Sequence, residues 1–207
     1  MRPMTSALAV ATRPRMAACA VVLAAAVALS SCGGGAPGPV PAVTAWRPYE
    51  SAGGGFRTEV PSAWVIAERG GPGGYETEVR ANTRNWIVLR KQFLSGSLET
   101  AVLRDATRDK ALIGAVQEHY DQIAQPCVSF HGDAPEVSSA ASSFAGFGKF
   151  TCERKAGRGG PVELQGATVI IIGLNDLYII DAYADAQSAK VVLAAFDRVV
   201  GSFKYED

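Results

Sequence analysis

From residue 56 onward the hydrophobic positions change period three times, and each change marks a change of element. Phe56-Arg57-Thr58-Glu59-Val60 alternates apolar and polar, the spacing of a half-buried strand. Pro61-Ser62-Ala63 turns the chain, and Trp64-Val65-Ile66 begins a second strand. After the glycine-rich loop 70–74, residues 75–81 and 86–93 read as two more strands. Residues 97–124 then switch to helical spacing, with Leu98, Val102, Ala106, Ile113, Val116, Tyr120 and Ile123 on one face. Ser97 can cap this segment and Glu99 suits its first turn. Asp109 interrupts the stripe and Asp105-Ala106-Thr107 offers a second cap, so the segment reads as one helix or two, ending at Pro126. The period then returns to two: a short strand at 128–130, another at 144–153 with Phe144, Phe150 and Cys152 on one parity, and a glycine turn at 157–160. A long strand at 162–173, a hairpin turn at Asn175-Asp176 and a partner at 177–183 follow. The last element is a helix capped by Asp185, with Ala189, Val192, Leu193, Phe196, Val199 and Val200 as its apolar stripe. Gly201 reads as its left-handed stop, and Phe203 as folding back on the last turn. Strands, helix, strands and a terminal helix predict an α+β fold: a mostly antiparallel β-sheet with a central helix and a C-terminal helix packed on it.

The residues before 56 have a different character. Arg2, Arg13 and Arg15 make a basic start, and residues 16–29 (MAACAVVLAAAVAL) form an apolar run of 14 residues. That run is shorter than the roughly 20 residues a membrane-spanning helix needs and suits a secretory signal. Leu29-Ser30-Ser31-Cys32 follows, and it resembles a bacterial lipobox. The resemblance implies that residues 1–31 are a lipoprotein signal peptide and that Cys32 becomes the mature N-terminus, joined to diacylglycerol through its thiol. The alternative is an ordinary secretory signal, with Cys32 a spare thiol. Residues 32–55 are rich in Gly and Pro and read as a flexible tether interrupted by Trp46 and Tyr49, which are expected to dock on the domain. The folded domain is then 56–207.

Charge narrows the function. The chain has 20 basic and 20 acidic residues; without the three leader arginines, 17 basic residues face 20 acidic ones. So weak a balance argues against a nucleic-acid binder. The expected partners are the membrane, through the lipid on Cys32, and an envelope protein.

The order of several weak motifs carries a family resemblance. Phe56, Pro61 and Trp64 open the domain ahead of the central helix. The hairpin from residue 170 to Tyr183 leads into a last helix ending Ser202-Phe203-Lys204. Over residues 55–205 the chain resembles the PsbP/Mog α-β-α sandwich superfamily and, among bacterial lipoproteins, its DcrB-like and LpqN-like members. The resemblance implies a non-enzymatic binding or accessory protein without cofactors, and gives no catalytic residues to carry over.

Few residues offer chemistry of their own. In an exported chain the pair Cys127 and Cys152 reads as a disulfide, because the two are too far apart for a Cys-x-x-Cys redox site and only two histidines exist to complete a zinc site. His119 falls off the helix stripe and is expected in solvent; His131 sits in a loop with Asp133, without a nucleophile elbow nearby. Asp176 suits a turn, Asp185 a cap, and Asp181, alternating with Ile180 and Ala182, is expected to face solvent. Arg80, Arg84, Arg90 and Lys91 surround Trp86 and form a candidate interaction surface, or else a solvated strand face. The sequence therefore predicts a lipid-anchored extracytoplasmic bacterial lipoprotein acting as a binding or accessory module. A small-ligand or lipid carrier would need a large apolar cavity between sheet and helices, and an envelope hydrolase would need His131, Asp133 and a serine gathered in a pocket.

Overall fold

The computed structural model describes residues 37–71, 74–93, 105–140, 143–155, 160–173 and 176–205. The leader, Cys32, the segment 97–104, the turn residues 157–159 and Asn175 lie outside the described residues. The elements are, in chain order, β1 (Trp46–Ser51), β2 (Phe56–Pro61), β3 (Val65–Gly71), β4 (Gly74–Asn82), β5 (Asn85–Phe93), α1 (Asp105–Ala124), β6 (Cys127–Gly132), β7 (Glu136–Ala140), β8 (Ser143–Lys155), β9 (Pro161–Ile172), β10 (Asp176–Asp185), α2 (Ala189–Ser202) and β11 (Lys204–Tyr205). The large sheet runs β3-β4-β5-β10-β9-β8-β6, with β7 also paired to β8, and β1-β2-β11 form a small sheet. All the pairings are antiparallel, which matches the predicted α+β class.

The large sheet is the middle of three layers. On one face Ile87, Leu89, Val169, Ile171, Tyr178 and Ile180 pack with Val192, Phe196 and Val199 of α2 and with Phe56 and Val60 of the small sheet. On the other face Phe150, Leu164, Ile170, Ile179 and Tyr183 pack with Leu112, Val116, Tyr120 and Ile123 of α1. Two glycines let α1 come close. A Cβ at Gly148 would stand 2.1 Å from the Tyr120 hydroxyl, and one at Gly146 would stand 2.8 Å from the Leu112 carbonyl oxygen. Tyr120 uses the gap to donate its hydroxyl to the Lys149 carbonyl at 2.8 Å.

Both ends of α2 differ from expectation. Asp185 does not cap the helix; its Oδ1 accepts the Ser188 N–H at 2.9 Å and tightens the turn before it. The cap position is held by Ser188. Gly201 is not a left-handed stop but lies within the helix, which runs through Ser202. The Ser202 hydroxyl bonds back to the Arg198 carbonyl at 2.8 Å, and Phe203 then leaves in extended conformation so that β11 can pair with β2. Phe203 folds back as expected and is buried against Phe56 and Tyr178.

The N-terminal boundary also moves. The expected tether of 32–55 includes β1, which pairs with β2 from Trp46↔Pro61 to Ser51↔Phe56, and whose Trp46 and Tyr49 pack against the core. The order begins earlier still. Val40 is buried, and its N–H donates to the Ser188 hydroxyl at 3.1 Å. With Val43 also packed on the core and the Ala45 carbonyl accepting the Ser62 N–H at 3.0 Å, apolar burial and satisfied backbone groups dock a segment that composition alone marks as a linker.

Candidate functional site

A row of charge crosses from the sheet rim to the interior beneath α1. Glu76 and Arg90 stand directly opposite on β4 and β5, and the Arg90 Nε donates to Glu76 at 2.9 Å. The Arg90 Nη1 reaches Asp181 Oδ2 on β10 at 2.5 Å. His119 Nε2, arriving from α1, lies 2.9 Å from Asp181 Oδ1 and 3.1 Å from Oδ2. Side-chain exposure falls along the row from 34% at Glu76 and 27% at Arg90 to 0% at Asp181, with His119 at 6%. Thr168, also fully buried, is the residue opposite Asp181 on β9.

Burial alone would raise the pKa of Asp181. The hydrogen bond and charge of His119, and then the Arg90 guanidinium, outweigh it and hold the carboxyl below its ordinary value. Tyr183, two residues along the same face, is pushed up by burial and further by the Asp181 charge. The His119 Nδ1 is buried without a hydrogen-bond partner among the described residues. The Asp181 carboxylate thus has both oxygens engaged by a helix residue and a strand residue, and the row ties α1 to the sheet.

Two expectations are overturned here. His119 is not in solvent, and Asp181 does not face it. The stripe of α1 that packs on the sheet is Leu112, Ala115, Val116, His119, Tyr120 and Ile123, whereas Ile113 is only partly buried. His119 stands three residues after Val116 and four before Ile123, so it was in register all along. Asp181 was misplaced because alternation implies a wet face only when one face of the sheet is bare, and β10 is covered on both.

The proposed basic surface is not one surface. Arg90 turns inward to Asp181. Trp86 stacks on Tyr183 with centroids 4.9 Å apart, and the Arg154 guanidinium lies over both rings. Lys91 is on the opposite face, paired with Asp176 at 2.9 Å. Arg80 pairs with Glu78 on its own strand. Arg84 is in the β4–β5 turn, its backbone N–H donating to Asn82 Oδ1 at 2.9 Å.

The remaining candidates are scattered. Cys127 and Cys152 are joined, with an S–S distance of 2.05 Å, and link the start of β6 to β8. His131 and Asp133 are 3.9 Å apart with exposures of 80% and 61%, too open for a preorganised dyad. Asp185 Oδ2 accepts from Asn85 Nδ2 at 3.0 Å. Among the described residues no three His, Cys, Asp or Glu side chains are grouped to hold a metal ion. A cleft of about 220 Å³ lies where residues 39–45 pass Pro61, Trp64 and Ala81, and another of about 340 Å³ lies at the β3–β4 hairpin beside Glu76 and Arg90.

No family model matches the chain, and no curated protein matches it. Among solved structures it is similar to cyanobacterial PsbP (CyanoP) from Synechocystis sp. PCC 6803, with a TM-score of 0.56 and 14% identity over 83% of this chain and 98% of that one. A structure from Bacteroides thetaiotaomicron VPI-5482 is similar at a TM-score of 0.47 and 12% identity, over 77% of this chain and 48% of that one. With its sheet clasped between α1 on one side and α2 with the small sheet on the other, the chain has a PsbP-like α-β-α sandwich fold.

Proposed function

We propose that this protein is a lipid-anchored extracytoplasmic lipoprotein, of the DcrB-like and LpqN-like kind within this fold, and that its domain is a non-enzymatic binding or accessory module. The observation that carries the reading is the closed state of the buried charges. Asp181, His119, Arg90 and Glu76 bond to one another, so the polar interior joins layers and leaves recognition to the surface. The Cys127–Cys152 disulfide supports an oxidising compartment, and the lipobox-like register of Cys32 supports the anchor. A carrier is disfavoured because side chains from sheet and helices fill both layers, with Ile87, Val116, Ile171, Ile180 and Val199 at 0% exposure.

Metabolic labelling with palmitate and fractionation test the anchor: the wild type should label and sediment with membranes, and Cys32→Ala should lose the label. A labelled Cys32→Ala protein would sink this part. Photo-cross-linkers at Val65 and Val128, exposed on the edge strands β3 and β6, test the module in whole envelopes. A discrete adduct with one envelope protein is expected from at least one position. Turnover of ester or peptide substrates that is lost in His119→Leu would overturn the non-enzymatic reading.

A further inference from the structure

Burial along residues 37–46 recurs at every third position. Pro37 is half-buried, Val40 is buried, and Val43 and Trp46 pack against the core, while the residues between them are exposed. A period of three is that of polyproline II, whereas a strand alternates by two. The composition agrees, since Pro37, Pro39 and Pro41 hold φ near the value this helix needs. The domain reads the arm through its backbone. The Ser188 hydroxyl accepts the Val40 N–H at 3.1 Å, and Asn82 Nδ2 reaches the Gly38 carbonyl at 3.4 Å. The inward side chains contribute only apolar volume.

The seat is larger than the arm that lies in it. A cleft of about 220 Å³ runs between residues 39–45 and a wall of Pro61, Trp64 and Ala81, with Trp64 only 6% exposed. An aromatic wall beside an apolar trough suits proline-rich ligands, because a polyproline II segment is already extended and loses little entropy on docking. The arm can lift without disturbing either sheet. The bond from the Ser62 N–H to the Ala45 carbonyl, and β1 after it, lie beyond the docked residues, so releasing 37–44 breaks no strand pairing. We infer that the trough lined by Trp64, Ala81 and Asn82 is a recognition groove for a proline-rich segment with apolar residues three apart, occupied by the protein's own arm until a segment of that kind from an envelope partner displaces it. The inference deepens the reading of the domain as a binding module and rests on it.

The probe is a fluorescein-labelled peptide of residues 37–44, PGPVPAVT, added to the purified full chain as wild type or as Val40→Asp, which frees the seat. An arm tethered this closely competes at an effective concentration of about 1 mM, so fluorescence anisotropy should show binding at least tenfold tighter to Val40→Asp than to wild type. The same peptide with Asp at the Val40 position should not bind. Ala63→Glu, exposed on the cleft wall, should weaken peptide binding to Val40→Asp at least tenfold. The wild type gives a second measurement that needs no substitution: in isotope-labelled protein, millimolar unlabelled peptide should quicken hydrogen exchange at the Val40 N–H at least threefold, because that donor leaves Ser188. No binding to a folded Val40→Asp protein, equal binding of the Asp-bearing peptide, or exchange unchanged by the peptide overturns the groove. Any of these leaves the binding module standing if envelope cross-links at Val65 or Val128 still form, and their loss as well overturns the module. A disulfide formed between separate copies carrying Gly38→Cys and Ala63→Cys would assign the seat to a second copy and also overturn the inference.

Discussion

Replacing Asp181 by alanine should destabilise the domain by about 3 kcal/mol, at the lower end of the roughly 3–5 kcal/mol typical of removing one partner of a buried ion pair. The magnitude follows from what each partner loses. His119 is buried, and its Nε2 would be left with no acceptor, a penalty of about 1–3 kcal/mol. Arg90 is 27% exposed and keeps Glu76 and water, so its share is nearer 1 kcal/mol. Urea denaturation of the oxidised protein, followed by circular dichroism, measures the sum, and thermal denaturation should show a fall of about 6–12 °C for a domain of this size. In a double-mutant cycle, His119→Leu with Asp181→Ala should cost about 1.5–2 kcal/mol less than the two single changes added, because the orphaned group is gone. The pH dependence has a definite sign. The native carboxyl sits below its ordinary value, so its contribution is full above about pH 4 and disappears as pH falls through the depressed native value. The gap between wild type and Asp181→Ala should therefore narrow below pH 4. A loss under about 1 kcal/mol, additivity within about 0.5 kcal/mol, or a gap independent of pH would refute the assignment of this row as the tie between α1 and the sheet.

Other perturbations probe the rest of the architecture. Cys127→Ser with Cys152→Ser opens a loop with a sequence separation of 25, worth about 3.5 kcal/mol in the chain-entropy model, and urea midpoints with and without reductant should converge on that loss. Gly166→Ala should cost about 1–3 kcal/mol, because its Cβ would stand 2.2 Å from the Phe150 ring and 2.7 Å from the Ala182 carbonyl. Gly201→Ala, in a helix with nothing within 4 Å, should instead gain about 0.5–1 kcal/mol, and the opposite signs can be read in one thermal melt. Val40→Asp should release the N-terminal arm while the sandwich stays folded, seen as new protease cleavage within residues 37–45 with little change in the global melt; an unchanged digestion pattern would mean the arm is not held by Val40.

What the chain determined by itself was mostly local. Alternation of period two and then 3.6 was enough to place strands at 56–60, 144–153 and 162–173, the C-terminal helix with Val192, Phe196 and Val199 inward, and the return of Phe203, because each of these depends on neighbours a few residues away. The cysteine pair was readable for a similar reason: few thiols leave few pairings. What tertiary structure decided was whatever depended on a second surface. Asp181 alternates with Ile180 and Ala182 as a solvent-facing residue would, and only the presence of α1 over that face turns it into a buried carboxylate. His119 could be recognised as its partner only once helix and strand were stacked. Arg80, Arg84, Arg90 and Lys91 are close in sequence, yet Lys91 faces away from Arg90 on the next strand position, Arg84 lies in the turn, and of the two arginines on one face Arg90 is drawn to Asp181 while Arg80 pairs with Glu78. The Gly/Pro composition of residues 37–45 is that of a linker; the burial of Val40, the packing of Val43 on the core, and hydrogen bonds to the Ser188 hydroxyl, 148 residues later, and from the Ser62 N–H make it part of the domain.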